Sequence, residues 1–351
     1  MDFASDNIAG VAPEILEAIL ASSRARASAY GTDGWTQRAE SALGEIFERP
    51  VAAFLVATGT AANALALAAF TPPWGAVICH DEAHIIDDEC GAPEFFTAGA
   101  KLVGAPGYGG KLTPEAVRET LARLPVGSVK TAQPKALSIS QATEAGLVYP
   151  AHEVGALGDL AREHGLALHM DGARFANAVA ATGAAPAALT WRAGVDVLSF
   201  GATKNGALAA EALVFFDPAK AKDFAYQRKR GGHLLSKGRF LGAQFEAYLT
   251  GGLWLKLAAR ANANAARLAA GLAAAPGFRL AFACQANEVF VIAPAARLDA
   301  MRAGGALFYD WTTRAVHPGE GPGAGERMAR LVCSFETAAE EIDALLALAR
   351  G

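Results

Sequence analysis

The sequence has little of what marks several large classes of protein. Only four of its 351 residues are cysteines, and no two of them form a CxxC pair. This scarcity excludes a zinc ribbon and a disulfide framework and favours free thiols in the cytoplasm. No run of about 18 apolar residues is present, so a membrane-spanning helix is not expected. The first residues show neither a basic region nor an apolar core, so no secretory signal is expected.

An excess of positive charge is also missing. The net charge is −4, the isoelectric point is near 6.0, and the one basic cluster, at 227–233, is short. A nucleic-acid-binding surface is therefore not expected. The chain is 52% hydrophobic and 19% charged, which excludes a disordered protein and allows a large core with a second lobe. We expect a cytoplasmic protein without nucleic-acid or membrane partners.

Short apolar runs alternate with amphipathic helical stretches through most of the chain. Such alternation predicts an α/β fold, with a mostly parallel sheet and helices on both of its faces. After about residue 246 a long helical stretch, several short strands and a last amphipathic helix predict a smaller α+β domain. We therefore expect an N-terminal segment (1–25), a large domain (26–245) and a small C-terminal domain (246–351).

Polar residues follow three of the predicted strands. "ATGTAAN" places Thr58, Gly59 and Thr60 between a strand and a helix, where N–H groups and hydroxyls favour an anion such as phosphate. In "HMDGARF", Asp171 ends a strand, and a carboxylate buried there needs a cationic partner. In "SFGATKNGA", Lys204 follows another strand, and a lysine in an apolar pocket becomes a nucleophile toward carbonyl groups. An anion site, an acid and a lysine together suit pyridoxal phosphate.

Each of these motifs also has a plainer explanation. The first is equally compatible with an ordinary strand–helix turn, and Asp171 with a helix cap. His84, Arg174 and Arg330 are each compatible with purely structural contacts. His164, His169 and Asp171 raise the possibility of a metal, but no third ligand is evident beside the last two, and we predict no metal site.

Taken in order, the motifs resemble the threonine aldolases, which belong to the fold type I, aminotransferase-like group of pyridoxal phosphate enzymes. The resemblance covers nearly the whole chain. The segments that carry it are "SDNIAG", "YGTDGWTQRAE", "ATGTAANALAL", "HDEAHIIDDECGAPEFF", "HMDGARFANA", "SFGATKNGA", "RKRGGHLLSKGRFLGAQ" and "RLVCSFETAAEEID".

The resemblance implies roles at the cofactor. Lys204 would carry the cofactor as a Schiff base, Asp171 would hold its pyridine nitrogen protonated, and His84 would stack on its ring. Lys229 would reach the cofactor of a neighbouring subunit. The phosphate would lie at Thr58, Gly59 and Thr60.

The resemblance also implies roles at the substrate. Ser5, Arg174 and Arg330 would hold the substrate carboxylate, with Arg174 close to the cofactor as well. His84 is our first choice for the group that takes the proton of the β-hydroxyl, and Asp88, one helical turn further on, is a candidate to orient it.

One loop departs from the family pattern. Many threonine aldolases have a second histidine before "GLVYP", but this chain reads "SQATEAGLVYP", with Thr143 and Glu144 in its place. Another group or water must therefore do the work of that histidine, and the departure leaves the substrate preference open.

The resemblance predicts an enzyme that cleaves L-threonine, L-allo-threonine and related β-hydroxy-α-amino acids such as phenylserine to glycine and an aldehyde. By the same resemblance, the basic segment at 227–233 reaches across a subunit interface, which implies a homo-oligomer, a tetramer built as a dimer of dimers. The cofactor residues do not separate this lyase from an enzyme of the same fold that catalyses β-elimination or transamination. A non-catalytic ligand-binding α/β protein is the alternative from a different class.

Overall fold

A seven-stranded sheet forms the centre of the larger part of the protein. The computed structural model describes all residues, 1–351. The strands of the sheet are β1 (Ala52–Val56), β2 (Gly75–His80), β3 (Lys101–Ala105), β4 (Gln133–Ser140), β5 (Ala167–Gly172), β6 (Val197–Gly201) and β7 (Glu211–Phe215).

The sheet is mostly parallel, as the sequence predicts. The strand order is β1-β7-β6-β5-β4-β2-β3. β7 runs antiparallel to both of its neighbours, β1 and β6, and all other pairs are parallel. Every strand except β7 therefore points the same way, and the residues that follow β1, β5 and β6 meet at one edge.

Helices cover both faces of the sheet. Alternate strand residues enter different apolar clusters: Ile78 faces the main core, whereas Val77 packs in a second cluster with Leu67 and Ile85. This alternation is the pattern of a sheet that is buried on both sides. The helices of this part are α1 (Pro13–Ser23), α2 (Gly34–Ile46), α3 (Gly59–Phe70), α4 (His84–Asp87), α5 (Ala92–Phe96), α6 (Pro114–Ala122), α7 (Ala151–Glu163), α8 (Phe175–Thr182), α9 (Phe224–Arg230) and α10 (Arg239–Leu249).

A second, antiparallel sheet lies in the C-terminal part. Its order is β10-β11-β9-β8, from β8 (Arg279–Leu280), β9 (Glu288–Pro294), β10 (Tyr309–Asp310) and β11 (Glu326–Val332). The helices of this part are α11 (Leu253–Ala273), α12 (Ala295–Ala303) and α13 (Ala339–Arg350). The early residues of α11, such as Trp254, pack in the large core and its later ones, such as Leu268, in the small one. The domain boundaries themselves stay predictions.

Several elements differ from the sequence-based expectation. The helical stretch predicted from residue 246 onward forms parts of two helices. Gly251 and Gly252 have φ values of 60° and 70°, and these left-handed residues interrupt the helical backbone between α10 and α11. Of the several short strands predicted after residue 246, β8 and β10 are only two residues long. None of the helices combines the length and the apolar composition that a membrane crossing requires.

The N-terminal segment connects the two parts. Phe3 is buried in the core of the small sheet, and its backbone pairs with Leu307 and Val332. A few residues later, Asp6 is buried and bonded to Arg174 of the large part. Residues 5–7 are therefore held at the junction, beside the edge at which the parallel strands end.

Candidate active site

The residues after β1, β5 and β6 line one cleft at the carboxyl edge of the large sheet. A first chamber of about 400 Å³ is lined by Thr58, Gly59, Thr60, Asp171 and Lys204. A second chamber of about 450 Å³ is lined by Ser5, Arg330 and residues of the small part. The two chambers adjoin each other, since they share the lining residues Asn7, His84, Glu144, Arg174 and Lys204.

Lys204 lies in a tight turn that hydrogen bonds to neighbouring helices hold in place. The turn, Thr203–Asn205, begins directly after β6 and ends at Gly206, whose φ of 104° favours glycine. The Asn205 amide donates hydrogen bonds to Tyr248 Oη (2.8 Å) and to the Trp254 carbonyl (2.9 Å). The lysine itself forms no ion pair. Its amine is therefore presented to the cleft on an anchored backbone.

A buried carboxyl group supports the same turn. Glu211, the first residue of β7, accepts hydrogen bonds from Thr203 Oγ1 (2.5 Å) and from the Ala202 N–H (3.1 Å). Burial raises the pKa of Glu211 to about 7. No sequence motif singles out Glu211, which reads as the polar start of a strand.

Asp171 is a buried carboxylate one residue before the end of β5. Asn63 Nδ2 donates to its Oδ2 (2.8 Å) and the Ala173 N–H to its Oδ1 (2.9 Å). Burial opposes ionisation, but the nearby His84 and the bond from Ala173 outweigh it and lower the pKa of Asp171. The carboxylate is therefore charged at neutral pH and suited to pair with a cationic nitrogen in the first chamber.

Glu89, and not Asp88, orients His84. The Nδ1–H of His84 donates to Glu89 Oε1 over 2.8 Å, and this bond is the largest of the effects that raise the pKa of His84. Asp88 is exposed. Because α4 ends at Asp87 and Cys90 has a φ of 50°, the chain turns Glu89 inward where helical spacing would have placed Asp88. The expectation for Asp88 is thus wrong.

Asn63 links the two carboxylates of this cluster. Its Nδ2 donates to Asp171 Oδ2 and to Glu89 Oε1, both over 2.8 Å. His84, Glu89 and Asp171 have ligand atoms within 4.8 Å of one another, and the hydrogen bonds through Asn63 and His84 tie these atoms together. Asn63 lies on α3 among alanines and leucines, and this polar position in an apolar helix was the available sequence signal.

His169 is a structural group beneath the site. It is fully buried, with Nδ1 2.8 Å from Ser138 Oγ and Nε2 3.0 Å from Ser199 Oγ. Burial lowers the pKa of His169 to about 4, so the ring is neutral. Its hydrogen bonds therefore connect the three central strands.

The start of α3 faces open space in the first chamber. Thr58 caps the helix by accepting from the Ala61 N–H (3.2 Å). No atom lies within 4 Å of the position that a Cβ on Gly59 would take. The free N–H groups at this helix end and the hydroxyl of Thr60 can therefore receive an anion.

Two mostly buried arginines face the second chamber from opposite parts of the fold. Arg174 Nε and Nη2 donate to the two oxygens of Asp6 over 2.7 and 3.0 Å. The guanidinium carbon of Arg330 lies 4.0 Å from the centroid of the Trp311 ring, and its Nη2 donates to the Ala4 carbonyl over 3.2 Å. Burial lowers the pKa of Arg330. For Arg174, the attraction to the carboxylates of Asp6 and Glu288 outweighs the effect of burial and raises the pKa.

Glu144 occupies the loop in which the family's second histidine is missing. Its Oε1 accepts from the backbone N–H of His84 (2.9 Å) and from Ser140 Oγ (2.6 Å). Burial raises the pKa of Glu144. This carboxyl group therefore fastens the segment that carries His84. The neighbouring Thr143 is buried and bonded to the Gly109 carbonyl.

The remaining sequence-predicted residues lie at different distances from the cleft. Ser5 lines the second chamber and accepts from the Asn7 N–H over 3.1 Å. Lys229 does not line the cleft of its own chain, and its Nζ lies 5.0 Å from the centroid of the Tyr30 ring. Its predicted role concerns a second copy of the chain and stays a prediction.

The fold and the cleft define a class: an α/β enzyme in which a lysine, a buried aspartate and an open helix end meet at the strand ends of one sheet. A sequence profile of the beta-eliminating lyase family matches residues 2–295. This chain is 43% identical to each of two low specificity L-threonine aldolases, from Pseudomonas sp. (strain NCIMB 10558) and from Pseudomonas aeruginosa. The alignments cover 95% and 97% of this chain and 93% and 94% of the relatives.

A solved structure agrees with these relatives. The threonine aldolase of Leishmania major superimposes with a TM-score of 0.91 at 30% identity, over 99% of this chain and 98% of that one. The chain therefore belongs to the beta-eliminating lyase family and, within it, to the threonine aldolases. The resemblance that the sequence motifs predicted is confirmed.

Proposed function

We propose that this protein cleaves L-threonine, L-allo-threonine and related β-hydroxy-α-amino acids such as phenylserine to glycine and an aldehyde. The observation that carries the proposal is a single cleft in which the amine of Lys204 lies between the buried carboxylate of Asp171 and a pair of arginines. Relatives that match along nearly the whole chain are named for this activity.

The cofactor is pyridoxal 5'-phosphate, and the residues of the first chamber fit it. Asn63 Oδ1 and Glu89 Oε2 are buried there without a partner, beside a lysine, a carboxylate and an open helix end. The cofactor supplies an aldehyde that reacts with amines and a ring that withdraws electrons from the bonds of Cα. Lys204 would hold the aldehyde carbon, Asp171 the pyridine nitrogen, His84 the ring face, and Thr58, Gly59 and Thr60 the phosphate.

Arginines decide which bond of the substrate is broken. A carboxylate held by Arg174 and Arg330, with Ser5 beside them, fixes the rotation about Cα by charge-assisted contacts. The two arginines would thereby fix which of the bonds at Cα faces the electron withdrawal that the cofactor would supply, and in this proposal that is the bond to Cβ. Orientation of this kind is worth several kcal/mol of the activation barrier.

His84 is placed to receive the proton of the β-hydroxyl. Its Nδ1–H is committed to Glu89, so that the free Nε2 is the accepting atom. Proton transfer creates an imidazolium, and the buried carboxylate of Glu89 stabilises that charge. Glu144 holds the backbone N–H of the same residue and so fixes the position of the ring.

Product analysis tests the proposal. The cofactor-loaded enzyme with L-threonine should release glycine and acetaldehyde in equal amounts. A 2-oxo acid with ammonia would instead show the elimination reaction to which the family name refers. Absence of any visible cofactor band would favour a non-catalytic binding protein.

The Arg330→Lys variant tests the carboxylate contact, because lysine keeps the charge and loses the planar fork. We expect cofactor absorbance to persist, KM for L-threonine to rise and kcat to fall. Losing one charge-assisted contact costs about 1.5–3 kcal/mol, roughly a tenfold to hundredfold loss in kcat/KM. Arg327→Lys is the control, since Arg327 lies on the same strand and pairs with Asp299 and Asp310 away from the cleft. Unchanged kinetics in Arg330→Lys would show that this arginine is structural.

We further propose a homotetramer, built as a dimer of dimers, in the cytoplasm. Lys229 lies outside the cleft of its own chain, and exposed apolar side chains on the same molecule include Leu16, Leu20 and Tyr226. The four cysteines of the chain form no disulfide bond, which suits a reducing compartment such as the cytoplasm. Sedimentation at assay concentration should give a mass well above 36.2 kDa, and a fully active monomer would contradict the proposal.

A further inference from the structure

Glu288 is a buried acid at the arginine pair that neither the sequence motifs nor the mechanism uses. It is the first residue of β9, and its side chain is fully buried. Its Oε1 lies 3.4 Å from Arg174 Nη2 and 4.0 Å from Arg330 Nη1. Neither carboxyl oxygen has a hydrogen-bond partner. This acid therefore lies between the two arginines that would receive the substrate carboxylate.

The charges of the two arginines and of the two acids in contact with them balance only while no substrate carboxylate is bound. Arg174 and Arg330 contribute two positive charges, and Asp6 and Glu288 contribute two negative charges when ionised. A substrate carboxylate adds a third negative charge in a buried place, where an unbalanced charge is costly. One of the acids must then take a proton for the balance to return.

Asp6 is poorly placed to take that proton. Its carboxylate accepts three hydrogen bonds, two from Arg174 and one from Asn287 Nδ2 (3.0 Å). These bonds stabilise the charged form, and they lower the pKa of Asp6 although burial opposes them. Glu288 accepts no hydrogen bond, and burial raises its pKa even beside both arginines.

We propose that Glu288 neutralises the arginine pair in the resting enzyme and takes up one proton from solution when the substrate carboxylate binds there. The proposal rests on the proposed function, because it assumes that the arginines receive a carboxylate. Glu288 thereby couples carboxylate binding to pH and acts as a positioning residue, since it holds the arginines in place until substrate replaces its charge.

The direction of the pH effect follows from this proton. Binding takes up a proton wherever Glu288 is ionised in the resting enzyme and protonated in the complex, so affinity falls as pH rises. Over that window the Kd increases about tenfold per pH unit at most. The groups that face Glu288 or its arginines from the surrounding elements are Asp6, Asp88, Glu144, Arg174, Lys204, Cys284 and Arg330.

The test is a calorimetric titration of the cofactor-loaded enzyme with 3-hydroxybutanoate, a carboxylate that lacks the reactive amine. Titrations in phosphate and in Tris, whose ionisation heats differ, count the protons taken up. The cofactor absorbance, followed in parallel, reports protonation at Lys204 separately. We expect an uptake approaching one proton and a Kd that rises with pH, with no matching absorbance change.

Variants assign the proton to Glu288. Glu288→Gln should show no uptake and a Kd independent of pH, with tighter binding than wild type at high pH because the arginines are no longer neutralised. Glu288→Asp should restore the uptake. Glu82→Gln is the matched control, because Glu82 is also buried and lines the second chamber but bonds Thr312 instead of the arginine pair. It should keep the wild-type uptake.

Three results would overturn the inference: equal heats in the two buffers for wild type, an uptake that persists in Glu288→Gln, or an uptake matched by the cofactor band. If Glu288→Gln does not fold, a wild-type Kd that is independent of pH has the same meaning. An enzyme that cleaves L-threonine but takes up no proton refutes the inference alone. An enzyme that does not cleave L-threonine refutes the proposed function, whatever the titration shows.

Discussion

Replacing Lys204 by alanine is expected to reduce the cleavage of L-threonine by about a thousandfold or more. In the proposed mechanism the lysine amine forms the covalent bond to the cofactor, and removing a covalent participant has effects of at least this order. The turn that carries Lys204 is held by Asn205, Tyr248 and Glu211, so the fold should survive the change. Glycine formation and the visible spectrum are the measurements.

Trapping the cofactor on the protein by chemical reduction tests the role of Lys204 independently. Borohydride reduction of the wild-type enzyme should leave the cofactor on a peptide that contains Lys204, and the Lys204→Ala enzyme should leave none. Lys220→Ala is the control, since Lys220 is partly exposed and pairs with Asp196. It should keep its activity. A Lys204→Ala enzyme with full turnover would refute the proposed mechanism.

Asp171→Asn is expected to lower kcat by roughly a hundredfold or more, the effect of removing one preorganised charge-stabilising group. The amide preserves the size of the side chain and can still accept from Asn63 or Ala173, but it no longer favours a protonated pyridine nitrogen by charge pairing. Cofactor binding should weaken, which a fluorescence or absorbance titration of the apoenzyme measures.

The matched control for this variant is Asp196→Asn. Asp196 lies just before the neighbouring strand β6 and accepts from the Leu168 N–H and from Lys220, outside the cleft. We expect Asp196→Asn to bind the cofactor as wild type does. Near-normal activity in Asp171→Asn would show that another group controls the charge of the ring.

Local sequence patterns predicted the strand ends correctly because each strand end is marked by a few consecutive residues. An apolar run followed by glycine, threonine or a lone charge is visible within about ten residues, as in "SFGATKNGA" around Lys204. The parallel direction of most strands then requires the ends of β1, β5 and β6 to meet at one edge. The same reasoning failed for Asp88, because a tight turn after α4 replaces helical spacing there.

The partners of these residues became visible only in the folded chain. Asn63 is 108 positions from the Asp171 that it bonds, and Asp6 is 168 positions from Arg174. A pattern read along the chain carries no information about such pairs, because they depend on how separate elements pack.

The sequence by itself determined the α/β alternation, the order of the cofactor motifs and the family. The tertiary structure alone decided which acids are buried. Asp and Glu residues usually lie at the surface, so Glu89, Glu211 and Glu288 resemble ordinary solvated residues until packing removes water from them. Burial also raises their pKa values, and the same packing brings them against His84, the turn that carries Lys204 and the arginine pair.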